Sequence, residues 1–236
     1  MTKEEFIDYC NDINIEITDD ILNNLEKYYE LLVEWNKKFN MTTITKKEDV
    51  YFLHFYDSIM LSKYVDLEKE IKVCDFGTGA GFPGLVLAII FKKINVTLIE
   101  SNNKKCNFLL EVIQKLNLKN VNVVNDRMEI YSKNNIEKFD LVTCRAVTSL
   151  PIILEISVQS VKINGFIAPM KANCDEEIKL ANNHIGKLSI KLEKINNYTL
   201  PINNATRTIP IYIKAAKTNI KYPRNYNAIL KEFKNK

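Results

Sequence analysis

Ten consecutive residues, Asp75-Phe76-Gly77-Thr78-Gly79-Ala80-Gly81-Phe82-Pro83-Gly84, constrain this chain more than any others. They end a short apolar run, Ile71 to Phe76, that reads as a buried strand. They lead into an apolar stretch opened by Pro83, whose missing amide is harmless in the first turn of a helix. Glycines there let the backbone turn sharply and let a ligand approach with no side chain between. After the first strand of an open α/β sheet, such a loop puts the ligand at the carboxyl ends of the strands.

The rest of the chain agrees with that placement. Asn95 to Glu100, Val121 to Asn125, Phe139 to Arg145 and Gly165 to Lys171 read as further strands. Between them lie a helix capped by Ser101 and running to about Asn117, and another from Leu150 to Val161. Alternation of this kind predicts a parallel sheet covered on both faces. Near the end, Ser189 to Leu200 and Thr208 to Ala215 are separated only by Pro201 to Arg207, so they read as an antiparallel pair closing the sheet. Before residue 69 the periodicity is helical. Ile21, Leu22, Leu25, Tyr28, Tyr29, Leu32, Trp35 and Phe39 share one face, with Thr18 as N-cap. Thr45-Lys46-Lys47-Glu48 reads as a capping box opening a second helix through Val50, Leu53, Tyr56, Ile59, Met60 and Tyr64. We expect an N-terminal helical cap over 1–68, a Rossmann-like domain over 69–216 and a basic, weakly structured tail over 217–236.

Composition removes several function classes. The 33 basic and 29 acidic residues leave a net charge of +4, too mild to argue for nucleic acid by itself. Five scattered cysteines without a C-x-x-C predict reduced thiols and a cytoplasmic location. His54 and His184 lack ligand spacing, so no metal is expected. The longest apolar run, Phe82 to Phe91, is about half of what a bilayer needs, and no membrane association is expected.

The glycine loop by itself admits two cofactors. Gly79-Ala80-Gly81-Phe82-Pro83-Gly84 satisfies G-x-G-x-x-G, and Glu100 stands near where a ribose-binding acid follows in nicotinamide-dependent oxidoreductases. Three features favour S-adenosylmethionine. Asp75 before the loop suits the cofactor's amino-acid end and would repel a pyrophosphate. A second acidic cluster, Asp126 and Glu129, follows the third strand, where adenine or its ribose would lie. The closing antiparallel pair belongs to class I methyltransferases. Gly77 and Gly79 are then the expected backbone contacts and Glu100 the ribose acid.

Further stretches carry a more specific resemblance. Trp35-Asn36-Lys37-Lys38-Phe39-Asn40-Met41-Thr42, His54-Phe55-Tyr56-Asp57-Ser58-Ile59, the glycine loop, Asp126-Arg127-Met128-Glu129, Phe139-Asp140, Cys144-Arg145-Ala146 and Met170-Lys171 occur in the order and spacing of one family. Over about Leu31 to Ala216 the chain resembles the bacterial 16S ribosomal RNA guanine-N7 methyltransferases, once called glucose-inhibited division protein B. The resemblance implies a class I S-adenosylmethionine-dependent fold, a mostly parallel seven-stranded α/β sheet with an antiparallel closing strand. It implies methyl transfer to N7 of one guanine near the decoding centre, with 16S ribosomal RNA or the small subunit as partner; a monomer is expected. It places cofactor contacts on Gly77, Phe82, Met128, Glu129 and Arg145. The chain departs from the family pattern at Leu53, where many relatives carry Arg, and at Ala172, where Gly is usual. Neither position is in the cofactor loop.

Guanine N7 exposes a lone pair and carries no proton, so no general base is expected. Arg145 and Lys171, at the carboxyl ends of strands, are expected to position the base, and either could donate to O6 and select guanine over adenine. Phe82 is a candidate stacking surface. Asn40, His54, Arg127, Lys171 and Arg207 are candidate RNA contacts. Bland readings stand beside these. His54, Asp57 and Ser58 share a helix face and could pin helix to sheet. Arg127 and Arg145 could pair with Glu129 and Asp140, Asn40 could merely end its helix, and Tyr28, Tyr29, Trp35 and Phe39 read as core. A nicotinamide-dependent oxidoreductase and a non-catalytic RNA-binding module remain the alternatives.

Overall fold

The computed structural model describes residues 1–233; Lys234, Asn235 and Lys236, the last three of the basic tail, lie outside the described residues. The chain opens with α1 (Lys3–Asn11) and α2 (Asp19–Asn36). Residues 47–63 then form a continuous helical segment: α3 (Lys47–Val50), a π-helical turn (Tyr51–Tyr56), α4 (Asp57–Ile59) and a 3-10 turn (Met60–Lys63). Thr18 caps α2 by accepting from Ile21 N, as expected. Thr45 does not cap α3; Lys46 is the N-cap and makes no side-chain cap bond.

Seven strands form one sheet: β1 (Lys72–Phe76), β2 (Asn95–Glu100), β3 (Val121–Asn125), β4 (Phe139–Arg145), β5 (Val161–Met170), β6 (Ile190–Thr199) and β7 (Thr206–Lys214). Their order is β3-β2-β1-β4-β5-β7-β6. The first five pair in parallel, and β7 runs antiparallel to both β5 and β6. The chain leaves β1 toward β2 on one side and later returns to β4 on the other. That reversal opens a crevice beyond the carboxyl ends of β1 and β4.

Five helices complete the sandwich: α5 (Gly84–Ile90), α6 (Asn103–Lys115), α7 (Met128–Asn134), α8 (Leu150–Ser157) and α9 (Asp175–Ile185). The cap of α6 is Asn102 and not Ser101, because the Asn102 side-chain oxygen accepts from both Lys104 N and Lys105 N. Helix α8 stops at Ser157, short of the expected Val161. The carbonyls of Gln159 and Ser160 are taken by the amides of Glu137, Lys138 and Phe139, so the chain there is already committed to the sheet. For the same reason β5 begins at Val161, paired with Phe139, and resumes regular pairing at Phe166 opposite Leu141 after a bulge.

Two apolar cores flank the sheet. One joins Leu85, Leu87, Leu98, Phe108 and Val112 with Phe6, Leu25, Tyr28, Leu32, Phe55 and Ile59, so the N-terminal helices share a core with α5 and α6. The other packs α7, α8 and α9 under Phe76, Ile99, Val142 and Ile167. The tail is more ordered than the sequence suggests. It contains α10 (Tyr226–Phe233), whose Ile229 and Phe233 are buried in this second core. Its anchor is Arg224, which donates from its backbone N, Nε and Nη2 to the fully buried Glu155. His184 also meets Glu155, at 2.9 Å.

Candidate active site

The glycine loop leaves β1 under the control of Asp75. This carboxylate is fully buried, and its Oδ2 accepts from Thr78 Oγ1 at 2.6 Å and Gly84 N at 2.8 Å. Its Oδ1 has no partner. Burial raises its pKa to about 7, partly offset by those two donors. Asp75 therefore organises the loop from beneath and does not face the crevice, contrary to the expectation that it would meet the cofactor's amino-acid end. From the other side, the Tyr28 hydroxyl of α2 donates to the Ala80 carbonyl.

The loop glycines are needed for different reasons. Gly77 sits at φ +63°, and a Cβ there would lie 2.9 Å from Val147 Cγ2 and 3.4 Å from Met128 Sδ. Gly84 lies against β2, where a Cβ would come within 2.5 Å of Leu98 Cδ2. The first glycine keeps the crevice open; the second lets α5 pack.

Beyond the strand ends lies a cavity of about 660 Å³. Gly77, Thr78, Gly79, Ala80 and Phe82 form its floor. Arg145, Ala146, Val147 and Thr148 after β4, with Met170, Lys171 and Ala172 after β5, form one wall. The opposite wall comes from the N-terminal helices: Met41, Thr42, Ile44, Leu53, His54 and Asp57. Arg207 and Lys105 complete the rim. A pocket of this volume suits a nucleoside-sized ligand.

Charge in the cavity is organised around Asp57 and Arg145. Asp57 is buried and accepts from Arg145 Nη1 at 3.1 Å and from Tyr198 Oη at 2.8 Å, with Arg207 Nε 3.4 Å away. Arg145 also donates to the Leu53 carbonyl through Nη1, and to His54 Nδ1 through Nη2 at 3.1 Å. The His54 ring stacks on Phe82 at 4.2 Å and 18°. Burial, with the Arg145 charge beside it, lowers the His54 pKa to about 3, so the ring is neutral. Lys171 donates to the Thr148 carbonyl and pairs with Glu177 at 2.8 Å.

Of the expected site residues, Gly77, Gly79, Phe82, His54, Arg145, Lys171 and Arg207 meet in this one cavity. Glu100 is beside it, its Oε2 accepting from Gly79 N and its Oε1 from Asn102 N. Met128 packs under Gly77. Arg127 and Glu129 pair at 2.6 Å, as their bland reading had it, and line a neighbouring hollow with Arg224 and Tyr226 of the tail. Arg145 does not pair with Asp140, which binds Lys162 instead. Asn40 is exposed and outside the cavity; its neighbour Met41 and Thr42 are held inward through amide bonds to Asn36 Oδ1. Sequence reasoning missed Thr42 and Lys105 as wall residues and the Tyr198 contact to Asp57. Only Thr42 carried a signal, as the end of the Trp35 to Thr42 stretch. Among the described residues, no group of three or more His, Cys, Asp or Glu could hold a metal ion, and no helix is long and apolar enough to cross a membrane.

Residues 21–206 match the family model described as rRNA small subunit methyltransferase G (GidB). The chain belongs to the rRNA small subunit methyltransferase G family. Proteins of that name from Bacillus velezensis and Bacillus subtilis are 43% and 40% identical to it, each over 95% of both chains. The one from Mycoplasma capricolum is 44% identical over 96% of this chain and 97% of its own. Solved structures share the fold at low identity. A SAM-dependent methyltransferase from Aquifex aeolicus superposes with a TM-score of 0.52 at 18% identity, covering 71% of this chain and 94% of its own. A predicted O-methyltransferase from Agrobacterium tumefaciens gives 0.57 at 16%, covering 69% and 83%. These likenesses are to methyltransferases, and none favours the oxidoreductase reading of the glycine loop. In this chain the cavity combines a glycine-rich floor with cations at the ends of β4 and β5.

Proposed function

We propose that the chain transfers a methyl group from S-adenosylmethionine to N7 of one guanine in small-subunit ribosomal RNA. The observation that carries this reading is the shared cavity, in which the glycine floor faces Arg145, Lys171 and the helical wall. The cofactor fits on a structural criterion: Gly77 lines the cavity at φ +63°, and a Cβ there would collide with Val147, 2.9 Å away and also in the lining. Gly77, Gly79 and Phe82 would hold it, with Glu100, Met128 and Glu129 at the adenosine end. When bound, S-adenosylmethionine supplies an electrophilic methyl group on a sulfonium centre.

The chain's own part is positioning. N7 has a free lone pair, so no side chain need remove a proton, and the neutral His54 is held by Arg145 and Thr42 and not poised as a base. His54, stacked on the buried Phe82 ring, and Arg145, whose guanidinium is 5.3 Å from the Phe82 centroid, line the cavity where a splayed purine would rest. Alignment of this kind can supply about 7–11 kcal/mol of barrier reduction. Arg207 and Lys105 on the rim would meet phosphates, so RNA binding should weaken as salt rises.

Labelled methyl transfer onto small-subunit RNA lacking the modification, with mapping of the modified base, tests this reading. Label on N7 of a single guanine supports it. Absence of transfer to RNA and to assembled subunits alike refutes it.

A further inference from the structure

We propose that the Thr42 hydroxyl is a hydrogen-bond donor that reads O6 of the methyl-accepting guanine. This rests on the guanine-N7 reading of the site and adds to it the group that selects the base.

A threonine hydroxyl can ordinarily donate or accept. Here its polarity is set by its neighbours. Arg145 is always charged and has only N–H groups to offer, so its Nη2 must donate to His54 Nδ1, 3.1 Å away. His54 Nδ1 then carries the lone pair. Since the ring is neutral, its proton sits on Nε2. Nε2 lies 3.0 Å from Thr42 Oγ1 and therefore donates to it. Ile44 N donates to the same oxygen at 3.1 Å. Both lone pairs of Oγ1 are spoken for, and the hydroxyl proton is what remains. Thr42 lines the cavity, so that proton is offered to the ligand.

The relay cannot reverse, because an arginine at its head cannot accept. A donor fixed in this way pairs with an acceptor such as guanine O6 and meets a second donor at the adenine amino group. The two cations considered for the same task are more heavily engaged. Arg145 is bonded to Asp57, Leu53 and His54, and Lys171 to Thr148 and Glu177. Arg145 and His54 are positioning residues in this scheme, and Thr42 is the one that touches the base.

The test compares small-subunit RNA carrying guanine at the modified position with the same RNA carrying 2-aminopurine, which keeps N7 and lacks O6. The wild-type enzyme should prefer guanine in kcat/KM by about tenfold, the scale of one hydrogen bond. Thr42→Val should bring the two substrates to near parity, with the Kd for S-adenosylmethionine by calorimetry unchanged. Thr42→Ser, which keeps the donor, should restore the preference. Lys171→Met, whatever its rate, should retain it. A Thr42→Val enzyme that still favours guanine as the wild type does overturns the assignment. So does a wild type indifferent to O6, a preference lost in Lys171→Met, or cofactor affinity that falls in parallel with methylation. Wild-type enzyme that methylates neither RNA refutes the function itself, a different result from a Thr42 variant that methylates without discrimination.

Discussion

Tyr28 of α2 donates its hydroxyl to the carbonyl of Ala80, which ties the N-terminal helices directly to the glycine loop. The ring is fully buried and lies 5.5 Å from Phe55 and 5.6 Å from Phe82, centroid to centroid. Tyr28→Phe keeps that packing and leaves the Ala80 carbonyl without its partner. Urea denaturation should show a loss of about 1–3 kcal/mol, the usual cost of an unpaired buried polar group. Calorimetry should show weaker S-adenosylmethionine binding, because the loop loses one of the side chains that hold it, leaving Asp75 and Glu100.

Gly77→Val should abolish cofactor binding and leave the fold largely intact. The added side chain enters the space between the loop and Val147, and φ +63° is strained for any β-branched residue. Calorimetric affinity equal to that of the wild type would remove the loop from the cofactor site.

Asp57→Ala should cost about 3–5 kcal/mol in chemical denaturation, as breaking a buried ion pair does. Its carboxylate stands between Arg145 and Arg207 and also accepts from Tyr198, so its loss leaves two cations facing each other. Asp57→Asn, which keeps an acceptor oxygen, should be milder.

Stability should fall in mild acid through His54. Its folded pKa, about 3, is below the ordinary 6.5 of an unfolded histidine. A depressed value of this sign contributes stability that is complete above pH 6.5 and is lost as pH falls toward 3, by about 1.4 kcal/mol per pH unit. His54→Asn offers Arg145 an acceptor that does not titrate. Denaturation curves between pH 7 and 5 should be flatter for this variant, and equal slopes would contradict the neutral ring.

Arg224→Ala should release α10. Glu155 is fully buried, and the bonds from Arg224 and His184 outweigh its burial and hold it down to about 2. Without the arginine, Ile229 and Phe233 lose the anchor that seats them. Limited proteolysis should cut the variant after residue 217 well before the wild type is cut.

Much of the fold was legible because its signals are local. Strands β2, β3 and β4 begin and end where apolar runs and turn residues put them, and the closing β6–β7 pair follows from a connection too short for a helix. The helix caps were less legible. Asn102 and Lys46 displaced Ser101 and Thr45 because capping depends on which side chain reaches a free amide, a matter of one residue of register. The tail helix left little trace, since α10 is held by Glu155, 69 positions away from Arg224.

The same division runs through the active site. Sequence alone determined the glycine floor, the strand ends that carry Arg145 and Lys171, and the family, because those depend on backbone conformation and on the order of short motifs. Only the tertiary structure decided that Asp75 faces inward to hold the loop, and that Asp57 gathers partners 88, 141 and 150 positions distant. It also decided the direction in which hydrogen bonds run from Arg145 to Thr42. Hydrogen-bond polarity belongs to a closed set of neighbours, and that set exists only once the helices have packed against the sheet.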